Sequence, residues 1–71
     1  MDICYDFGKI LRKYRIGRNL SQEEFAELCG ISRAYYGRIE RGEYNITLKM
    51  CKKIADGLSI MVQDLFKDLP Y

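Results

Sequence analysis

Apolar residues recur at helical spacing along almost the whole chain, and no useful length of it alternates apolar and polar residues as a strand would. The only proline is Pro70, so nothing before the last two residues breaks a helix. This pattern predicts an all-α fold, a compact bundle of five short helices in a single domain covering residues 1–71. The predicted helices span about residues 6–17, 22–29, 33–41, 48–58 and 62–67.

Three predicted helices share one kind of start, an apolar residue followed by a hydroxyl residue, with a second apolar residue five positions after the first. The hydroxyl can accept from an unpaired backbone N–H, while the two apolar side chains pack together and fix the direction of entry. Glu24 lies three positions after Ser21 and completes a capping box. The three starts are Leu20-Ser21…Phe25, Ile31-Ser32…Tyr36 and Ile46-Thr47…Cys51.

The apolar stripes of the helices predict the hydrophobic core. Gly30 and Gly42 follow the second and third helices, where glycine commonly ends a helix in a left-handed conformation. The residues predicted to point inward are Phe7, Ile10, Leu11, Tyr14, Phe25, Ala26, Leu28, Cys29, Tyr36, Ile39, Leu48, Cys51, Ile54, Ala55, Leu58, Val62, Leu65 and Phe66.

The connection between the second and third helices is Gly30-Ile31-Ser32. Two short helices joined by a tight turn of about three or four residues that contains glycine form a helix-turn-helix. The tight turn makes the helices cross steeply, so one face of the third helix projects from the body. A projecting helix has the width of the major groove of B-DNA.

The third helix presents small and basic residues on the face opposite its core positions Tyr36 and Ile39. An arginine can fork onto guanine, and small residues let the helix backbone approach the base edges. Glycine in a helix interior costs about 0.5–1 kcal/mol relative to alanine, which suggests a purpose other than stability. The alternative interpretation is a solvated arginine face with a tolerated glycine. The residues of this face are Arg33, Ala34, Gly37 and Arg38.

Charge and composition narrow the possible functions. The net charge is only +2, but basic residues concentrate in residues 1–20 and 32–53, on either side of an acidic segment at 23–27. The chain has three scattered cysteines and no histidine, which excludes an ordinary zinc site and leaves no evident nucleophile and base for an enzyme. We therefore expect no metal, no cofactor, no small-molecule ligand and no catalysis.

Location follows from the same composition. No apolar stretch is long enough to cross a membrane, and the acidic N-terminus does not resemble a signal peptide. An odd number of cysteines without such a signal favours a reducing cytoplasm. A protein-interaction module, such as an antitoxin that binds a toxin, is the alternative to DNA binding.

Two segments closely resemble the Cro/phage-repressor-type (XRE-like) helix-turn-helix family. They are residues 20–33, LSQEEFAELCGISR, and residues 39–42, IERG. The resemblance covers about Phe7 to Phe66 and implies a bundle of four or five helices that binds palindromic operators in double-stranded DNA as a dimer. Members are mostly bacterial and phage transcriptional regulators, which implies a cytoplasmic, nucleoid-associated location.

The resemblance also implies a role for each matching position. Arg33, Ala34 and Arg38, with Gly37 beside them, match base-reading positions. Arg15 and Glu40 match a buried ion pair between the first and third helices, which we interpret as structural. The positions that match contacts with the DNA backbone are Gln22, Tyr35, Arg41, Tyr44, Asn45 and Thr47.

Residues 32–37, 40–42 and 45–47 particularly resemble restriction–modification controller proteins, although that group favours threonine where this chain has Ala34. Tyr36 stands where isoleucine or valine is typical, so its hydroxyl needs a partner. Asn19 replaces a common glycine, and Met61 replaces the serine that usually caps the last helix. The predicted dimer interface is Ile60, Met61, Leu65, Phe66 and Leu69, unless these residues close the core of their own subunit.

Overall fold

The computed structural model describes residues 2–71, which form five α-helices and no strand. The all-helical bundle predicted from the sequence is confirmed. The helices are α1 (Ile3–Gly17), α2 (Gln22–Cys29), α3 (Arg33–Glu40), α4 (Leu48–Leu58) and α5 (Val62–Phe66).

Helix α1 begins three residues earlier than the sequence predicts. The side chain of Asp2 caps it by accepting a hydrogen bond of 2.9 Å from the backbone N–H of Cys4. Ile3 and Tyr5 in this first turn are both exposed, so the apolar stripe that marks the helix in the sequence starts only at Phe7. The ends of α3 and α5 each lie one residue before the predicted ends.

The three hydroxyl caps form as expected at Ser21, Ser32 and Thr47. Each hydroxyl accepts from the backbone N–H three residues later at 3.1 Å. Asn19 has the left-handed conformation expected of it, with φ of 59°. Met61 supplies no side-chain cap to α5, but Asp64 accepts from its backbone N–H at 2.9 Å.

The helices pack so that α3 lies against both α1 and α2, while α4 covers α2 and α5 joins α1 to α4. Gly8 makes the contact between α1 and α3 unusually close. A Cβ at Gly8 would collide with the carbonyl groups of Ile39 and Glu40, lying 2.8 Å from the Ile39 oxygen. The C-terminal end of α3 therefore rests directly on the backbone of α1.

Two residues predicted to be in the core are exposed instead. Leu48 is 77 % exposed because it occupies the first position of α4, beyond the turn that packs on the body. Leu28 is 46 % exposed because Phe25, Ala26 and Cys29 form the buried stripe of α2 and Leu28 falls to one side of it. No helix within residues 2–71 is long and apolar enough to span a membrane.

Candidate nucleic-acid interface

The turn between α2 and α3 fixes where α3 begins. Gly30 ends α2 in the left-handed conformation with φ of 72°, and the N–H of Ile31 donates to the carbonyl of Ala26 at 2.9 Å. Ser32 then caps α3. The half-buried side chain of Ile31 packs on the core between these two ends. The helix-turn-helix is thus held by backbone hydrogen bonds and by one apolar anchor.

Three of the four predicted base-reading residues lie on the exposed face of α3. Arg33, Ala34 and Arg38 are open to solvent, and Arg33 begins the helix. They stand on the side opposite the buried Tyr36 and Ile39. This face combines two cations with a small residue, which is a surface that can approach a negatively charged groove closely.

Gly37 lies on the same side of α3 but, unlike the other three, it is buried, so its base-reading role stays a prediction. Gly37 is buried, and a Cβ there would lie 3.3 Å from Nη1 of Arg41 and 3.6 Å from Oε1 of Gln22. The side chains of Gln22 and Arg41 therefore cross over α3 at this residue. The glycine is therefore covered by the side chains of two residues that are predicted to contact the DNA backbone.

Arg38 is held by an aromatic pair beside α3. Its Nη1 donates to the hydroxyl of Tyr44 at 3.3 Å, and its Cζ lies 5.8 Å from the centre of the Tyr44 ring. The rings of Tyr44 and Tyr35 are 4.9 Å apart and tilted by 55°. Both rings are half-buried and packed on the core. They give the arginine a fixed support on one side.

The buried end of α3 carries a hydrogen-bonded network centred on the carboxylate of Glu40. Nε and Nη2 of Arg15 each donate to it at 2.9 Å, one to each oxygen. Nε2 of Gln22 donates to Oε1 at 3.1 Å, and the hydroxyl of Tyr36 donates to Oε2. The side chains of Arg15 and Glu40 are 14 % and 6 % exposed. This ion pair links α1 to α3, and Gln22 joins α2 to it.

The same network sets the protonation of its members. Burial acts to raise the pKa of Glu40, but the hydrogen bonds from Arg15, Tyr36 and Gln22 outweigh it and leave that pKa lowered. Burial and the bond to Glu40 raise the pKa of Tyr36. Glu40 is therefore the anion at neutral pH and Tyr36 the neutral donor.

The other predicted backbone contacts surround the exposed face of α3. Arg41 lies at its C-terminal end and pairs with Glu43 at 2.8 Å, both side chains being about half exposed. Asn45 and Thr47 are exposed in the following loop, where the Thr47 hydroxyl also caps α4. The predicted contacts with the DNA backbone thus lie at the N-terminus of α2, at Tyr35 in α3 and along residues 41–47.

Helix α1 adds basic residues that the sequence did not assign to this surface. Lys9 and Arg12 are exposed and line one hollow together with Gln22 and Arg41. Helical spacing leaves them free to face solvent, but only the fold shows that they adjoin α3. Arg18 has a different environment, since it donates to the carbonyl of Leu58 at 2.7 Å and so caps the end of α4.

The predicted dimer residues divide into buried and exposed ones. Leu65 is fully buried in the core of its own subunit, so its assignment to an interface is wrong. Phe66 is half-buried against Phe7, with ring centres 5.6 Å apart. Ile60 and Leu69 are also half-buried, and Met61 is 63 % exposed. Met61 therefore offers the largest free apolar surface of the set.

Residues 11–64 match the helix-turn-helix family HTH_3. The chain is 42 % identical to control protein C.MunI of a Mycoplasma species, over 96 % of this chain and 93 % of that protein. It is 44 % identical to control protein C.SmaI of Serratia marcescens, over 90 % of this chain and 82 % of that protein. Its fold is similar to the crystal structure of the restriction-modification controller protein C.AhdI from Aeromonas hydrophila. That match has a TM-score of 0.83 and 41 % identity, and it covers 89 % of this chain and 91 % of the other.

Proposed function

This chain belongs to the HTH_3 helix-turn-helix family of DNA-binding transcriptional regulators, and from this premise we propose that it inserts α3 into the major groove of a palindromic operator. Arg33 and Arg38 would read base edges on either side of Ala34. Gln22, Tyr35, Arg41, Tyr44, Asn45 and Thr47 would contact the DNA backbone.

The observation that carries this proposal is the exposed face of α3. Arg33, Ala34 and Arg38 are free of the body, while Ser32 and Ile31 fix the position and direction of the helix that carries them. The predicted backbone contacts lie beside this face rather than scattered over the molecule. Contacts with phosphates position a protein on DNA, and contacts with bases give it sequence preference.

We propose that the chain is a restriction–modification controller. C.MunI and C.SmaI are both control proteins, and the solved structure of C.AhdI is similar over most of its length. Ala34, at the centre of the reading face, departs from the threonine typical of that group. The proposed difference between this chain and such relatives is therefore the operator sequence rather than the manner of binding.

We further propose a homodimer, because one recognition helix makes few contacts and a palindrome repeats its half-site. The two half-sites would lie about 34–36 Å apart, one helical turn of DNA. Ile60, Met61, Phe66 and Leu69 would form the interface. Phe66 and Leu69 also line an apolar groove with Ile3 and Leu48, which extends this surface.

We also propose where the protein acts and what controls its activity. A regulator of bacterial or phage genes would work in the cytoplasm, at the nucleoid. It would need no enzymatic activity, metal, cofactor or small-molecule ligand, because the helix-turn-helix accounts for binding without them. Control would then depend on the concentration of the protein itself.

The test is selection of bound sequences from random duplex DNA, followed by mobility shifts on the best sequence at two salt concentrations. We expect a palindromic preference and an affinity that falls steeply as salt rises, since released counterions drive binding to phosphates. Selected DNA without a common sequence would contradict base reading by α3. Absence of any DNA binding at low salt would favour a protein-interaction module instead.

A further inference from the structure

The Glu40 carboxylate has four hydrogen-bond donors, which equals its ordinary capacity of about four lone-pair positions. Arg15 occupies two of these positions, and Gln22 and Tyr36 occupy one each. Such a saturated carboxylate has one favourable orientation. If one donor is removed, the carboxylate can rotate and the remaining donors must follow it.

Tyr36 is the donor whose position the core determines. Its side chain is fully buried, and its ring lies 4.7 Å from that of Phe25. A buried hydroxyl needs a hydrogen-bond partner, because burial without one is unfavourable. The fixed ring and the bond to Glu40 thus hold Oε2 in place. Arg15 holds the carboxylate from the side of α1 and is itself anchored, because its Nη1 donates to the carbonyl of Leu20 at 3.0 Å.

Gln22 is the donor that connects this network to the outer surface. It is the first residue of α2, and it donates one amide hydrogen to Oε1 of Glu40. The amide nitrogen carries a second hydrogen, which the carboxylate leaves free. The amide oxygen lies beside Gly37, 3.6 Å from where a Cβ would stand. The orientation of the Gln22 amide is therefore set from inside the protein.

We propose that Tyr36 is a positioning residue for DNA binding, because its hydroxyl fixes the Glu40 carboxylate and thereby directs the Gln22 amide toward a DNA phosphate. The inference rests on the proposed contact between Gln22 and the DNA backbone. It gives a purpose to the hydroxyl of a tyrosine at a position where the family resemblance leads us to expect isoleucine or valine. The ring fills the core as an aliphatic side chain would, and the hydroxyl links that core to the interface.

A double-mutant cycle tests this link. Tyr36→Phe removes the hydroxyl and keeps the ring, Gln22→Ala removes the amide, and the third variant carries both changes. Ile54→Val is the matched control, since Ile54 is fully buried in α4 and lies outside the network. The dissociation constants for the selected operator and for random duplex are measured by fluorescence anisotropy, at a temperature where circular dichroism shows every variant folded.

We expect Tyr36→Phe to weaken binding to both DNAs by about two- to tenfold, the scale of one hydrogen bond. We expect no further loss when Tyr36→Phe is added to Gln22→Ala, because the amide that it orients is then absent. Ile54→Val should lower the melting temperature and leave both dissociation constants unchanged. If the Tyr36 hydroxyl only stabilised the fold, Tyr36→Phe would behave like Ile54→Val, with a lower melting temperature and unchanged dissociation constants.

Tyr36→Phe binding as tightly as wild type would overturn the inference. An equal loss with and without Gln22 would overturn it too, because Tyr36 would then act by another route. Gln22→Ala binding as tightly as wild type would remove the phosphate contact and this inference with it, while wild-type binding still supports the proposed function. Failure of wild type to bind any DNA would remove the proposed function itself.

Discussion

Single residues of α3 have two different roles: its arginines are exposed, and the carboxylate behind them is buried. Arg33 and Arg38 point away from the body, whereas Glu40 at the end of the same helix faces Arg15. Changes on the outer side should alter which DNA is bound. Changes on the inner side should alter how firmly α3 is held.

Arg33→Ala and Arg38→Ala should each lose sequence preference without unfolding the protein. A good arginine–guanine contact supplies about 1–3 kcal/mol of discrimination, and both side chains are exposed, so the core is untouched. The measurement is competition between selected operator and random duplex. Lys52→Ala is the control, since Lys52 is exposed on α4 and pairs with Asp56. Wild-type preference in both arginine variants would contradict the assignment.

Tyr44→Phe should reduce discrimination at the base pair that Arg38 is proposed to read, by a factor of about a few. The change removes the hydrogen bond to Arg38 and keeps the ring that packs on Tyr35. Repeating the DNA selection with this variant measures the effect. Arg38→Ala provides the comparison, because Tyr44→Phe added to it should change the preference no further. A preference lost equally in that background would show that Tyr44 acts independently of Arg38.

At the scale of single residues, the sequence predicts the exposure that helical spacing determines. It does not predict the burial that a neighbouring element causes. Tyr36 and Ile39 define the inner side of α3, so the exposure of Arg33 and Arg38 follows from helical spacing. The burial of Gly37 depends on Gln22 from α2 as well as on Arg41, and helical spacing along α3 does not predict the contact from α2. The Tyr36–Glu40 bond has a signal in the sequence, since the two residues are four apart on one helix.

Among the helices, the predicted starts are right for α2 to α5 and wrong for α1. The starts of α2, α3 and α4 agree with the sequence because each has a hydroxyl cap and an apolar pair. The cap of α1 at Asp2 has exposed neighbours, so no apolar pattern marks it. The spacing of apolar residues does not predict that α1 packs on α3. The Arg15–Glu40 pair is implied only by the family resemblance.

Ser32→Ala should destabilise the protein by about 1 kcal/mol, because the backbone N–H of Tyr35 loses the hydroxyl that caps α3. Urea unfolding followed by circular dichroism measures the loss. Ser32→Gly is the matched variant and should cost only about a few tenths of a kcal/mol, since glycine suits this position without a side chain. Equal stability of Ser32→Ala and wild type would show that the cap contributes nothing.

The link between α1 and α3 should weaken in acid. The folded protein lowers the pKa of Glu40 below its ordinary value of 4.5, so the ionised carboxylate stabilises the fold above that value. This stabilisation should be lost as the pH falls through the lowered pKa. The free energy of unfolding is measured from pH 7 to pH 3 for wild type and Glu40→Gln. The difference between their free energies of unfolding should stay constant down to about pH 4.5 and then shrink. A difference that grows in acid would contradict a lowered pKa of Glu40.

For the whole molecule, the proposed dimer requires an exposed surface on which two copies could meet. The exposed apolar residues include Met61 after α4 and, near the N-termini of α1 and α4, Ile3 and Leu48. Residue type alone does not distinguish these exposed residues from core residues, because Leu65 is buried and Leu48 is exposed although both are leucines. Only packing assigns one to the interior and the other to the surface.

Met61→Lys should weaken the dimer and, through it, binding to a palindrome. The lysine would place a charge in the proposed interface, while the exposed position of Met61 spares the core. Size-exclusion chromatography with light scattering at micromolar protein measures the assembly, with Ile16→Lys as the control on α1. Ile16 is 55 % exposed and lies outside the proposed interface. A wild-type protein that stays monomeric even on a palindrome would contradict the dimer.

The bare backbone contact at Gly8 has a mechanical consequence for recognition. With no side-chain layer between α1 and α3 at that point, α3 has little room to tilt against α1, so we expect the two helices to move together. A half-site displaced or twisted from its ideal phase would then be met by bending of the duplex, not of the protein. Operators should accordingly be sorted by their flexibility between half-sites as well as by their bases.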